Sequence, residues 1–256
     1  LGVPETVEAV TSAVSAWDAD ELEEAIIAAD GAGGRVRSHA EWAAHPQGQA
    51  VAGLPLMEIV KIGDAPPEPL PAGPRPLSGV RVLDLTRVLA GPTCARTLAE
   101  HGADVLKING PHLPSIGYQE YDTSHGKLAA YLDLREPSDL GTLKTLVSTG
   151  DVFSQGYRPG TLAKRGLAPE TLAALRPGIV CVSLSAFGHI GPWADRRGFD
   201  TVIQSVSGIA HRQGAIFPGP RSGPKFYPVS AIDYLTGNLM AFGALVALAR
   251  RATEGG

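Results

Sequence analysis

Asp233 is the residue whose type and position most invite chemistry. It stands in Pro228-Val229-Ser230-Ala231-Ile232-Asp233-Tyr234-Leu235-Thr236-Gly237, at the head of a run to Thr253 that is otherwise small and apolar. Leu239, Met240, Phe242, Leu245, Val246 and Leu248 make that run too hydrophobic all round for a surface helix. Asp233 is therefore expected near-buried at a helix N-terminus, where backbone N–H groups keep a carboxylate ionised. On spacing alone it reads first as a helix cap. A second feature is the turn Arg87-Val88-Leu89-Ala90-Gly91-Pro92, with one glycine followed by proline. That is not the three spaced glycines of a dinucleotide fingerprint, so the loop is not built for NAD.

The elements that would position these residues follow from periodicity. Val80 to Leu85 alternates and is β-branched, which predicts a first strand. Pro92 suits a first helical turn, Thr93 to Glu100 carries helix formers, His101-Gly102 ends the helix, and Ala103 to Ile108 is the next strand. Strands are expected at 128–134, 151–154 and 179–186, and helices at 137–150, 169–175, 201–210 and 233–253. Alternation of this kind predicts an α/β fold with an open, mostly parallel, Rossmann-like sheet and helices on both faces.

A small α+β segment precedes the sheet, so the expected division is 1–62, a linker at 63–79, and a sheet domain at 80–256. In the first segment a helix starts at Asp18 or Ala19 with acids in its first turn, and Ser38 caps a second helix with Glu41 at the capping-box position. Arg35-Val36-Arg37 and Leu56 to Ile62 read as strands. Gly63 to Gly79 holds six prolines in 17 residues and should lack regular structure.

Five blocks carry a resemblance: LDLTRVLAGP, HGADVLKI, Gly126-Lys127 before Leu132-Asp133-Leu134, GYRPGTLAKRGL, and RPGIVCVSLSAFGHIGPW. In order and approximate spacing over Pro76–Gly256 they resemble the class III CoA-transferases, a superfamily shared with α-methylacyl-CoA racemase. The resemblance implies that Asp233 is a nucleophile. Moving CoA between carboxylates suits a carboxylate nucleophile, through an anhydride and an aspartyl-CoA thioester. It also implies that CoA lies across the carboxyl ends of the strands. The matching positions are Leu89 and Ala90, Lys127, Gly156, Tyr157 and Arg158, and Lys164 or Arg165. Tyr157 would stack on adenine, and Lys127, Arg158 and Lys164 would take phosphate charge.

Under this resemblance coenzyme A thioester is a co-substrate, no cofactor is permanently bound, and the partners are a small acyl-CoA and a carboxylic acid. An interlocked homodimer or a fused pseudo-dimer is implied. The pattern Trp17, Glu21-Leu22, Val36-Arg37-Ser38 and His45-Pro46-Gln47 resembles the small domain that these enzymes carry late in the chain, which suggests a duplicated, fused parent. A racemase would need a Gly-His-Asp triplet where this chain has Gly198-Phe199-Asp200, with His189 and His211 elsewhere. A non-catalytic half of a fused pair is the third reading.

Composition narrows the classes further. The 256 residues are 44% hydrophobic and 19% charged, as in a packed globular protein. A net charge of −4 provides no footprint for nucleic acid. Cys94 and Cys181 form no metal pattern and read as buried thiols of a cytoplasmic protein. No 18-residue apolar run suggests a membrane span. The start, without Met or a basic segment, reads as an internal starting point.

Overall fold

A computed structural model describes residues 1–114, 116–217 and 223–256. In chain order its elements are α1 (Val7–Ser15), α2 (Ala19–Ala28), α3 (His39–Ala44), α4 (Pro46–Ala52), β1 (Arg81–Leu85), α5 (Ala90–Glu100), β2 (Asp104–Asn109), α6 (Gly117–Thr123), β3 (Lys127–Tyr131), α7 (Pro137–Val147), β4 (Val152–Gln155), α8 (Pro169–Leu175), β5 (Val180–Ser183), α9 (Asp200–Val206), α10 (Ile209–Ile216) and α11 (Ala231–Glu254). They form two compact units, Leu1–Gly53 with Ala186–Ser230, and Leu54–Ser185 with Ala231–Gly256. The boundaries read from sequence are thereby corrected, because residues 186–230 belong with the N-terminal segment.

The larger unit is a five-stranded, all-parallel sheet in the order β3-β2-β1-β4-β5. Period-2 alternation sends successive side chains of each inner strand to opposite faces. Val80, Val82, Val105 and Val152 pack beneath Cys94, Ala95 and Leu98 of α5 and Ala241, Ala244 and Leu248 of α11. Leu83, Leu85, Ile108 and Phe153 face the other way, against Leu143 and Val147 of α7 and Leu172 of α8. Each large apolar side chain buried this way contributes roughly 1.5–3 kcal/mol. The result is the three-layer α/β/α arrangement that alternating elements imply.

The linker has no helix or strand, yet it is tied to the amino-terminal edge of this sheet. Glu68 N–H donates to Arg251 O at 3.1 Å, and Arg176 donates to the Glu68 carboxylate at 2.7 Å. Asp151 collects the neighbouring charges: its carboxylate accepts from Arg81 N–H (2.8 Å), Arg251 Nη1 (2.9 Å) and Arg176 Nη2 (3.3 Å).

α11 is long and apolar enough to cross a membrane by length and composition, which corrects the reading that no stretch meets that measure. Here its small-residue stripe of Gly237, Ala241 and Ala244 is buried, and so is Arg251 on Asp151. Leu235 and Phe242 remain 65% and 54% exposed on its other side.

In the smaller unit α2 is capped by Asp18, and α3 carries the expected capping box of Ser38 and Glu41. The expected strand Arg35–Arg37 is corrected. This extended segment bonds to a side chain and a loop rather than to a strand, with Arg35 N–H on Glu23 Oε2 at 2.7 Å and Arg37 N–H on Ser205 O at 3.0 Å. Glu23 and Arg37 form a buried bidentate pair, at 2.8 and 2.7 Å. Gln47, also buried, donates to Phe187 O and Ile190 O and accepts from Trp193 N–H, so its amide joins α4 to residues 187–193. Trp193 packs with Phe187 and Trp42 beneath the guanidiniums of Arg37 and Arg196.

In the larger unit the expected strand over Leu56–Ile62 is also absent. Leu56 and Val60 are exposed while Met57 and Ile59 are half-buried, but no strand of the sheet pairs with this segment. The helix expected over 201–210 is two, α9 and α10, broken at Gly208, whose φ of 89° only glycine adopts readily.

Candidate active site

The strand order makes a topological switch point. From β1 the chain winds through β2 to β3 on one side of the sheet, and it then crosses to β4 and β5 on the other. The loops leaving β1 and β4 therefore diverge at the carboxyl edge, where open α/β sheets bind ligands. The loop after β1 is Thr86–Leu89, and that after β4 begins at Gly156.

Val88 lies in the first loop at φ 71°, a genuine outlier for a β-branched residue. Leu89 and Ala90 are buried, so what they can present to a ligand is backbone. Leu89 is the N-cap of α5, and its own side chain makes no capping hydrogen bond. In the second loop Gly156 and Arg158 are exposed and Tyr157 is half-buried, packed against the Phe153 core. Burial raises the Tyr157 hydroxyl above its usual range, while the charges of Arg87 and Arg165 draw it the other way. Arg165 donates to Leu134 O at 2.6 Å, and Lys164 is exposed.

Lys127 requires a correction. Its side chain is 1% exposed, and its ammonium donates to Asp84 Oδ2 and to Pro92 O, both at 2.8 Å. A charge buried and paired this way cannot meet a phosphate in solvent. Asp84 went unrecognised in the sequence. The available signal was a lone acid within the alternating apolar strand Val82-Leu83-Asp84-Leu85.

Asp233 is the third residue of α11, inside the first turn rather than at the cap position, and it is half-buried rather than near-buried. α11 and α5 run the same way along one face of the sheet. Gly237 meets the first turn of α5, whereas Leu248 packs with Leu98 and Arg251 reaches Asp151 at the opposite edge. Asp233, one turn before Gly237 on the same flank, therefore stands at the carboxyl edge of the sheet, beside the Leu89–Ala90 turn. The next residue, Tyr234, donates its hydroxyl to Asp122 at 3.0 Å, and Asp122 also accepts from Arg96 at 2.9 Å. That contact fixes the rotation of the first turn of α11.

The approach at Gly237 is close. A Cβ there would lie 2.4 Å from Ala90 O and 2.7 Å from Thr93 Cβ. Gly237→Ala is thus expected to push α11 off α5, at a cost of about 1–3 kcal/mol. A thermal melt checks this, and an unchanged midpoint would refute the packing argument.

His189 and His211 lie in the other unit, both exposed, and Phe199 occupies the position where a racemase would need an imidazole. Phe199 cannot carry a proton.

The chain belongs to CoA-transferase family III, whose model matches residues 77–256. It is 37% identical over 194 residues to the succinyl-CoA–D-citramalate CoA-transferase of Chloroflexus aurantiacus, covering 71% of this chain and 47% of that protein. An acetyl-coenzyme A transferase of Hypoxylon pulicicidum, nodX, is 32% identical over 99% of this chain and 46% of its own length, so the match extends through the N-terminal segment. Among solved structures, Rv3272 from Mycobacterium tuberculosis superposes with a TM-score of 0.65 at 32% identity, over 71% of this chain and 51% of that one. The chain thus spans about half the length of the relatives it matches.

Proposed function

We propose that this protein transfers CoA from an acyl-CoA to a free carboxylic acid, with Asp233 as the covalent nucleophile. The observation that carries the reading is the register of α11 on α5, which puts a half-buried carboxylate one turn from Gly237 and so beside the Leu89–Ala90 turn. Asp233 Oδ attacks the thioester carbonyl, the C–S bond breaks, and CoA leaves as thiolate, giving a mixed anhydride. The thiolate then attacks the aspartyl carbonyl of that anhydride, releasing the first acid and leaving an aspartyl-CoA thioester. The incoming carboxylate attacks this thioester, expels the thiolate again, and forms a second anhydride. Attack of the thiolate on the acyl carbonyl of the new acid yields the new acyl-CoA and restores Asp233. Each carbonyl attack builds an oxyanion that backbone N–H groups can hold, and the first turn of α5, whose N-cap is the apolar Leu89, would offer such donors.

The CoA nucleotide would lie along the loop after β4, against Tyr157, with Arg158, Lys164, Arg165 and Arg87 offering charge to its phosphates. Leu89, Ala90 and Gly156 would contact it through backbone. Succinyl-CoA is the donor to test first, because relatives named for succinyl-CoA and the acids citramalate, malate and glutarate match this chain. Incubation of the full-length protein with succinyl-CoA, followed by peptide mass spectrometry, should place the CoA adduct on the peptide containing Asp233. An adduct on another carboxylate would refute the assignment.

A further inference from the structure

Beneath the turn after β1 lies a buried polar cluster. Asp84 is fully buried on the central strand. Its Oδ1 accepts from Thr86 N–H at 3.0 Å and from the Thr86 hydroxyl at 2.5 Å, and its Oδ2 accepts from Lys127 Nζ at 2.8 Å. Lys127 comes from β3, two strands away, and its ammonium also donates to Pro92 O in the first turn of α5. Lys107, opposite Asp84 in the strand register, pairs instead with Glu120 at 3.3 Å. Thr86 is packed so tightly on Gly91 that a Cβ there would fall 2.3 Å from Thr86 Cβ.

The turn 86–90 is thus held at both ends by one ion pair. Asp84 closes its start as a side-chain turn onto Thr86, and Lys127 ties its far end to the same carboxylate through Pro92 O. Between the two anchors sits Val88 at φ 71°. A β-branched residue persists there only when its surroundings over-determine the backbone. Hydrophobic packing alone lacks the direction to do this, whereas a carboxylate and an ammonium with four bonds to backbone, hydroxyl and each other have it.

We propose that Asp84 and Lys127 are positioning residues that lock the Thr86–Ala90 turn in the conformation that presents its backbone to the thioester beside Asp233. The inference rests on the proposed transferase reaction and extends it. Lys127 acts on the substrate only through the turn, with no direct contact to the nucleotide. Misplacing reacting groups by about 1 Å lowers rates on the order of 10²-fold, so the effect belongs in kcat more than in binding.

The test uses the full-length protein with Lys127→Met, which keeps the length of the stem, and with Thr86→Val, which keeps the shape on Gly91 and removes one bond to Asp84. Thr86→Val maintains the test where loss of the ammonium prevents folding. Two substrates are compared, succinyl-CoA and succinyl-pantetheine, which lacks the nucleotide. A positioning role predicts that kcat falls about 10²-fold in Lys127→Met and less in Thr86→Val, by equal factors with both substrates. Amide hydrogen exchange at 86–90 should rise in step. If the deficit disappears with succinyl-pantetheine, Lys127 is a nucleotide ligand and the proposal is overturned. If the melting temperature falls while kcat per folded molecule and exchange at 86–90 are unchanged, the pair only holds strands together and the proposal is likewise overturned. Should the unsubstituted protein turn over neither thioester, the transferase reading fails, and the exchange measurement still decides whether the pair locks the turn.

Discussion

Asp233→Asn in the full-length protein is expected to lower CoA transfer by at least about 10⁴-fold, within the range that loss of a covalent nucleophile costs. Asparagine keeps the volume and can still accept a hydrogen bond, but its amide does not attack a thioester to form an anhydride. Because Asp233 lies within the first turn of α11, the substitution removes one favourable charge from the helix N-terminus, worth about 0.3–1 kcal/mol. Folding and binding of free CoA should therefore survive almost intact. Steady-state rates, a thermal melt and calorimetric titration with CoA separate the three quantities. Retained turnover would mean that Asp233 serves only the helix, whereas a collapsed melt would mean that its structural role had been underestimated.

The largest expected effect on stability lies at the opposite edge of the sheet. Asp151→Ala should cost about 3–5 kcal/mol, because it leaves the buried Arg251 guanidinium without its carboxylate. What remains to Arg251 Nη1 is Gly178 O at 3.3 Å and Glu68 at 4.0 Å, the latter on a half-exposed side chain. The same substitution removes the acceptor for Arg81 N–H at the start of β1 and loosens Arg176. At roughly 2–4 °C per kcal/mol for a chain of this size, the midpoint should drop by about 6–20 °C. Glu68→Gln is the control: its pair with Arg176 is partly solvated and should contribute no more than about 1 kcal/mol. Comparable losses from the two variants would show that Asp151 is not the hub its bonds suggest.

Much of this molecule was legible in the chain. Local rules sufficed for β1 and α8, for the caps at Asp18 and Ser38, and for the absence of regular structure in the proline-rich linker. In these places the preference of a few neighbouring residues agrees with what surrounds them, so a short window contains the answer. The strand ends were less legible. β3 stops at Tyr131 and β5 at Ser183, short of the apolar runs that suggested them, because pairing with a neighbouring strand decides where a ladder ends. The segments Arg35–Arg37 and Leu56–Ile62 are not strands for the same reason: alternation suits a half-buried strand, but a partner strand must also be present.

The identity of the site residues divides along the same line. The sequence by itself determined the parallel α/β architecture, the turn ending in Gly91-Pro92, and the presence of one acid at the head of an apolar helix. Only the tertiary structure decided which charges face solvent. Lys127 resembles any other cation in the sequence, but Asp84 two strands away and Pro92 O on α5 take its ammonium out of water. Asp233 gains its place beside the Leu89–Ala90 turn from Gly237, 147 positions on from Ala90 in the chain yet near enough to touch its carbonyl. Burial and proximity depend on what lies opposite in space, and no window of sequence contains that neighbour.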